Sequence, residues 1–87
     1  MATVFVPRTL EDSAGGKSEI EIDGATVRRV LEALAVEYPA FVDALLENGE
    51  LRSDLAVAID GEISTVGLRA RLQPDSEVHF IPALVGG

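Results

Sequence analysis

The chain closes on Glu77-Val78-His79-Phe80-Ile81-Pro82-Ala83-Leu84-Val85-Gly86-Gly87. Its first five residues read as a strand in which Val78 and Phe80 share one face and His79 and Ile81 the other. Pro82 is expected to end the pairing, because proline brings no N–H to a ladder. Residues 83–87 carry no turn chemistry and have no partner segment, so they read as a flexible tail on a domain of residues 1–82. A terminal glycine pair standing alone is open to a bland reading, a frayed end or a cloning scar. At about 7% glycine usage it arises by chance in roughly one chain in two hundred. Its meaning depends on what precedes it.

Working back from the end, Thr3-Val4-Phe5-Val6 is β-branched and aromatic and is closed by Pro7, a second strand signature. Ser18-Glu19-Ile20-Glu21-Ile22-Asp23 alternates strictly, with Ile20 and Ile22 on one face, as a half-buried strand requires. The polar stretch from Glu11 to Lys17, with Gly15-Gly16, reads as the loop of a hairpin between them. Thr26 is placed to cap a helix. Val27, Val30, Leu31, Leu34 and Tyr38 then keep a 3.6-residue period until Pro39. Phe41, Val42, Leu45 and Leu46 give a short second helix, stopped at Asn48-Gly49. Leu55 to Ile59 is the next strand, and Asp60-Gly61 a tight turn into a short strand at Glu62-Ile63-Ser64. Leu68 and Leu72 are apolar plugs in an irregular connection before the Pro74-Asp75 turn.

This order predicts an α+β layer: a mixed sheet of four to five strands, one main helix and a short second helix. The first and last strands are the most apolar and belong side by side in the middle. Val4, Val6, Ile20, Ile22, Val78 and Phe80 are assigned to the helix-covered core. Phe5, His79 and Ile81 are left on the open face near the tail root.

Composition narrows the function. With 87 residues, 47% hydrophobic and 25% charged, the chain has material for one small core. Seven Lys+Arg against fifteen Asp+Glu give a net charge of −8, which repels nucleic acid and favours a monomer that meets basic protein surfaces. No stretch is long and apolar enough for a membrane, and no leader is evident, so a cytoplasmic location is expected. The absence of cysteine removes disulfides, a thiol nucleophile and thiolate metal sites, and His79 is the one histidine. No acid, base or nucleophile constellation appears, so neither intrinsic catalysis nor a bound metal or cofactor is expected. Arg69 and Arg71 read as solvent-facing, and the sign of the whole chain argues against a basic site.

The element order with its Ile81-to-Gly87 ending resembles the ubiquitin-like sulfur carriers of the MoaD/ThiS group. So do the Gly24-Ala25-Thr26-Val27 entry into a Leu-rich helix and the turns at Asp60-Gly61 and Pro74-Asp75. The second helical segment resembles the MoaD-like branch, which includes carriers for cysteine biosynthesis. The resemblance implies a β-grasp fold. It also implies a ubiquitin-activating-like adenylyltransferase that uses ATP and Mg to activate Gly87, and a sulfur-accepting biosynthetic enzyme. That enzyme is molybdopterin synthase (whose small subunit such a carrier forms), a cysteine synthase or a secondary-metabolite enzyme. Ala83, Leu84, Val85 and Gly86 would enter the partner's active site, with docking at Phe5, His79 and Ile81.

The chemistry of such an ending follows from elementary principles. A free α-carboxylate is ionised at neutral pH. As an acyl-adenylate it becomes reactive toward a sulfur donor, and the product is a thiocarboxylate. The site must exclude water, and residues without Cβ pass a narrow channel. Five extended residues reach up to roughly 17 Å. Two alternatives share the fold: a modifier joined to lysines through Gly87, and a non-covalent interaction module in which the glycines are incidental.

Overall fold

Alternating apolar residues and one amphipathic helix give a mixed sheet with helices on a single face. The computed structural model describes residues 1–83. The strands are β1 (Ala2–Phe5), β2 (Glu19–Ile22), β3 (Leu46–Glu47), β4 (Glu50–Leu51), β5 (Leu55–Ile59), β6 (Glu62–Ile63) and β7 (Glu77–Pro82), and the α-helices are α1 (Val27–Glu37) and α2 (Pro39–Leu45). The main sheet runs β2-β1-β7-β5-β6, with β1 and β7 parallel and the other pairs antiparallel. The first and last strands are therefore neighbours at the interior of a five-stranded β-grasp sheet, as their apolar content predicts.

Helix α1 starts where the threonine hydroxyl dictates: Thr26 Oγ1 accepts from the Arg29 N–H at 3.2 Å. Its periodic face, Val27, Val30, Leu31 and Leu34, is buried, together with Phe41, Val42 and Leu45 of α2. These pack on Val4, Val6, Ile20, Val57, Val78 and Phe80 of the sheet, with Ile22 half-buried at the margin. Leu68 is buried and Leu72 packs at the edge of the core, so both act as the plugs their isolation suggests.

Three local expectations are corrected. The Glu11-to-Lys17 region is not a plain loop. Arg8–Ala14 forms a 3-10 helix, with Ser13 Oγ donating to Leu10 O at 2.7 Å and Ala14 fully buried. This short helix packs against α2, a long-range contact that a polar local sequence does not announce.

Asn48-Gly49 does more than stop α2. With φ of 56° and 80°, the pair turns β3 into β4 as a miniature hairpin.

Pro82 does not end the pairing of β7. It lies opposite Leu55, and Ala83 N–H still donates to Asp54 O at 2.9 Å. In an antiparallel ladder bonding alternates sides. The missing N–H of Pro82 therefore faces β1, whose pairing with β7 has already finished at Phe5–His79.

Candidate functional site: the open sheet face and the tail root

The strand registers bring one row of side chains together on the face opposite the helices. Glu19 pairs with Phe5, Phe5 with His79, His79 with Ala58, and Ala58 with Ile63. Directly paired residues point to the same side of a sheet. A second row, nearer the tail, pairs Ile81 with Ala56. The row on the other side pairs Glu21 with Thr3 and Thr3 with Glu77. Along β7 the open face thus passes from acidic Glu77, through His79, to apolar Ile81, and the tail leaves from the apolar end.

The predicted docking residues do meet. Phe5 and His79 stack with ring centroids 4.2 Å apart and planes 4° from parallel. Such a pair contributes about 0.5–1.5 kcal/mol beyond its buried area and fixes the imidazole as part of a flat surface. Phe5, His79 and Ile81 are all half-buried, neither core nor freely exposed. His79 is therefore a stacked ring at the centre of the patch, not an isolated exposed strand histidine.

Ile63 was missed by the sequence reading. It is 63% exposed and extends the same row beyond Ala58. The available signal was the small-residue alternation in Leu55-Ala56-Val57-Ala58-Ile59, which leaves room on one face, and the two-residue turn that sets Ile63 against Ala58.

The turn itself is tied to β7. Asp60, at φ 53°, accepts from Ser76 Oγ at 3.0 Å and from Glu77 N–H at 2.9 Å, and its own N–H donates to Glu77 O at 2.9 Å. Ser76 is buried, and its Oγ also accepts from Gln73 N–H at 2.8 Å. These bonds lock the β5–β7 register and so place His79 against Ala58.

The tail root is held at Ala83 by its bond to Asp54 O. Beside it, Arg52 Nε donates to the Asp54 carboxylate at 3.1 Å. That hydrogen bond first, and the opposite charge second, raise the Arg52 guanidinium above its ordinary pKa. A pocket of about 230 Å³, lined in part by Leu10, Arg52, Asp54, Phe80 and Pro82, lies against the same root. Leu84, Val85, Gly86 and Gly87, assigned to the tail from the sequence, lie outside the described residues.

Among the described residues no group of three or more His, Cys, Asp or Glu is placed to hold a metal ion. No described helix is long and apolar enough to cross a membrane.

Comparison with known proteins adds the family context. A family model described as the ThiS family matches residues 4–87. No curated protein matches the chain. Among solved structures, the Amycolatopsis orientalis BexX/CysO complex contains a chain with TM-score 0.89 and 25% identity, each chain covered in full. Mycobacterium tuberculosis CysO superposes with TM-score 0.86 at 22% identity over 97% of this chain and 100% of that one, which speaks to the fold. The small archaeal modifier protein 1 of Methanosarcina acetivorans gives TM-score 0.79 at 26% identity, over 99% and 95% of the two chains.

Proposed function

Because the chain belongs to the ThiS family of small β-grasp sulfur carriers and ubiquitin-like modifiers, which act through their C-terminus and are not enzymes themselves, we propose that its reactive group is the Gly87 carboxylate. A carboxylate oxygen of Gly87 attacks the α-phosphate of ATP in a ubiquitin-activating-like adenylyltransferase, and pyrophosphate leaves with Mg. Sulfur from a donor then adds to the acyl-adenylate, AMP departs, and Gly87 carries a thiocarboxylate. A biosynthetic enzyme consumes that sulfur in the cytoplasm. By likeness to the CysO of the BexX/CysO complex, the carrier binds a partner protein that is a separate chain.

In this reading the Phe5–His79 stack, Ile81 and Ile63 form the surface that both partners grip, while Ala83, Leu84, Val85 and Gly86 thread toward the active site. An apolar patch bordered by Glu19, Glu21 and Glu77 suits a partner with an apolar centre and a basic rim. The observation that carries the proposal is the family match running through Gly86-Gly87.

The test is intact-protein mass spectrometry after incubation with a cognate activating enzyme, ATP and sulfide. The expected result is the gain of one sulfur-for-oxygen exchange, mapped to Gly87 and absent when Gly87 is deleted. An unmodified terminus beside an enzyme active on its other carriers refutes it. A second reading rests on the likeness to the archaeal modifier proteins: the same adenylate is passed to a substrate lysine. Lysine conjugates in cells, lost on deletion of Gly87, distinguish it.

A further inference from the structure

Strand β2 is outermost on one side of the main sheet, and its four residues make it the longer of the sheet's two edges, β6 having two. Its main chain is only half paired. Val6 N–H donates to Ser18 O at 2.8 Å, and the same register sets Val4 against Ile20 and Ala2 against Ile22. Bonded and non-bonded pairs alternate along an antiparallel ladder. Ser18, Ile20 and Ile22 therefore turn their N–H and C=O groups to β1, while those of Glu19 and Glu21 point away from the sheet.

The side chains of β2 alternate as well. Ile20 is buried and Ile22 half-buried on the helical side, and Glu19 and Glu21 are exposed on the open face. The two glutamates are spaced about 7 Å apart along the strand. That is within the screening length of about 8 Å at physiological salt, so they act together. Among the described residues neither makes an ion pair. Lys17, the nearest cation along the chain, has its Nζ 5.9 Å from the centre of the Tyr38 ring, and Arg29 of α1 pairs with Glu32 at 3.6 Å. The row from Glu21 continues through Thr3 to Glu77, so the open face beside this edge is acidic too.

We propose that the β2 edge receives an extended, basic segment of a protein partner as a sixth, antiparallel strand. In such an addition main-chain bonds supply affinity and alternate side chains supply specificity. The pattern of β2 specifies its complement residue by residue. Lys or Arg stands opposite Glu21 and Glu19, where directly paired opposite charges attract. The main-chain N–H and C=O of those two basic residues bond the outward groups of Glu21 and Glu19. Apolar side chains stand opposite Ile22, Ile20 and Ser18 and cover the exposed margin of Ile22. A second copy of this chain does not fit. Pairing β2 with β2 through its outward groups sets glutamate against glutamate, a device by which edge strands resist self-association. Glu19 is paired with Phe5, so the added strand lies beside the Phe5–His79 stack. Binding here requires nothing of Gly87 and is independent of thiocarboxylate formation.

The test titrates the full-length ¹⁵N-labelled protein with acetyl-Val-Lys-Val-Lys-Val-amide to millimolar concentration. The expected shifts centre on residues 18–22. At saturation the amide exchange of Glu19 and Glu21 slows about tenfold, and that of Ile20 and Ile22 is unchanged. N-methylation of the two lysine amides abolishes binding, whereas N-methylation of the central valine, whose amide faces away from β2, is tolerated. Glu19→Lys/Glu21→Lys, at two exposed positions, weakens binding of this peptide about tenfold. The same variant gains binding of acetyl-Val-Glu-Val-Glu-Val-amide, which the parent rejects, and this exchange of preference separates lost binding from lost folding. The proposal is overturned by an absence of shifts, by shifts confined to the Phe5–Ile81 face, by equal binding of the peptide with glutamine in place of lysine, or by lysine N-methylation without effect. It is overturned too if the protein alone forms a concentration-dependent dimer that protects Glu19 and Glu21, since a second copy would then fill the edge.

Discussion

Replacing Gly24 by alanine tests whether the entry into α1 is set by close approach. A Cβ built on Gly24 would lie 2.6 Å from Val30 Cγ2 and 2.8 Å from the Val30 backbone nitrogen. The first contact is with a side chain that can shift. The second is with helix backbone, held by the Val30 N–H bond to Thr26 O at 3.1 Å. Overpacking of this kind costs about 1–3 kcal/mol, and backbone involvement places Gly24→Ala toward the top of that range. Against it stands a gain of about 0.4–1 kcal/mol from the stiffer unfolded chain. The net expectation is a loss of about 1–2 kcal/mol, which for a domain of this size lowers the melting temperature by about 5–15 °C.

Urea unfolding followed by circular dichroism measures the loss directly. Combining Gly24→Ala with Val30→Ala removes the Cγ2 clash but leaves the nitrogen clash, so the double-mutant cycle should show partial rescue, about 0.5–1 kcal/mol. Gly24→Ala within about 0.5 kcal/mol of the parent, or complete cancellation by Val30→Ala, would refute the backbone-contact argument.

Asp60→Ala removes the acceptor for Ser76 Oγ and Glu77 N–H and leaves an alanine at φ 53°, so it should cost about 2–4 kcal/mol. Asp60→Asn keeps an acceptor and tolerates that φ, and should stay within about 1 kcal/mol of the parent; denaturation of both variants decides, and equal damage would sink the assignment. On the open face, Ile63→Asp should leave the melting temperature nearly unchanged, because Ile63 is 63% exposed. Its kcat/KM in the activating enzyme's adenylation assay should fall about 10–100-fold, as for a docking anchor. Val36→Asp, at a site 83% exposed on α1, is the control, and equal rates for the two variants would remove Ile63 from the docking surface.

Much of the architecture was legible because it rests on short-range periodicity. Ile20 and Ile22, Val78 and Phe80, and the Val27-to-Leu34 stripe declare their buried faces from neighbours a few residues away. Thr26 and the Asp60-Gly61 pair declare their cap and turn through the chemistry of one or two residues. Alternation put Phe5, His79 and Ile81 on the open face beside the tail, and the family resemblance nominated them as a docking surface.

What the sequence could not determine depends on contacts between segments remote along the chain. Ala14 is buried only because α2 packs over a polar stretch that has no apolar period of its own. Pro82 continues the ladder only because β1 has already stopped pairing on the side where its N–H is missing. The Phe5–His79 stack and its extension to Ile63 require the registers of three strand pairs, locked in part by Asp60. Arg28 and Arg69 line one cleft only because two backbone bonds join segments more than forty residues apart. Pattern along a chain reports which face is buried. Which partner lies across that face is decided by tertiary packing, because the energies that select it are summed over residues the local pattern never brings together.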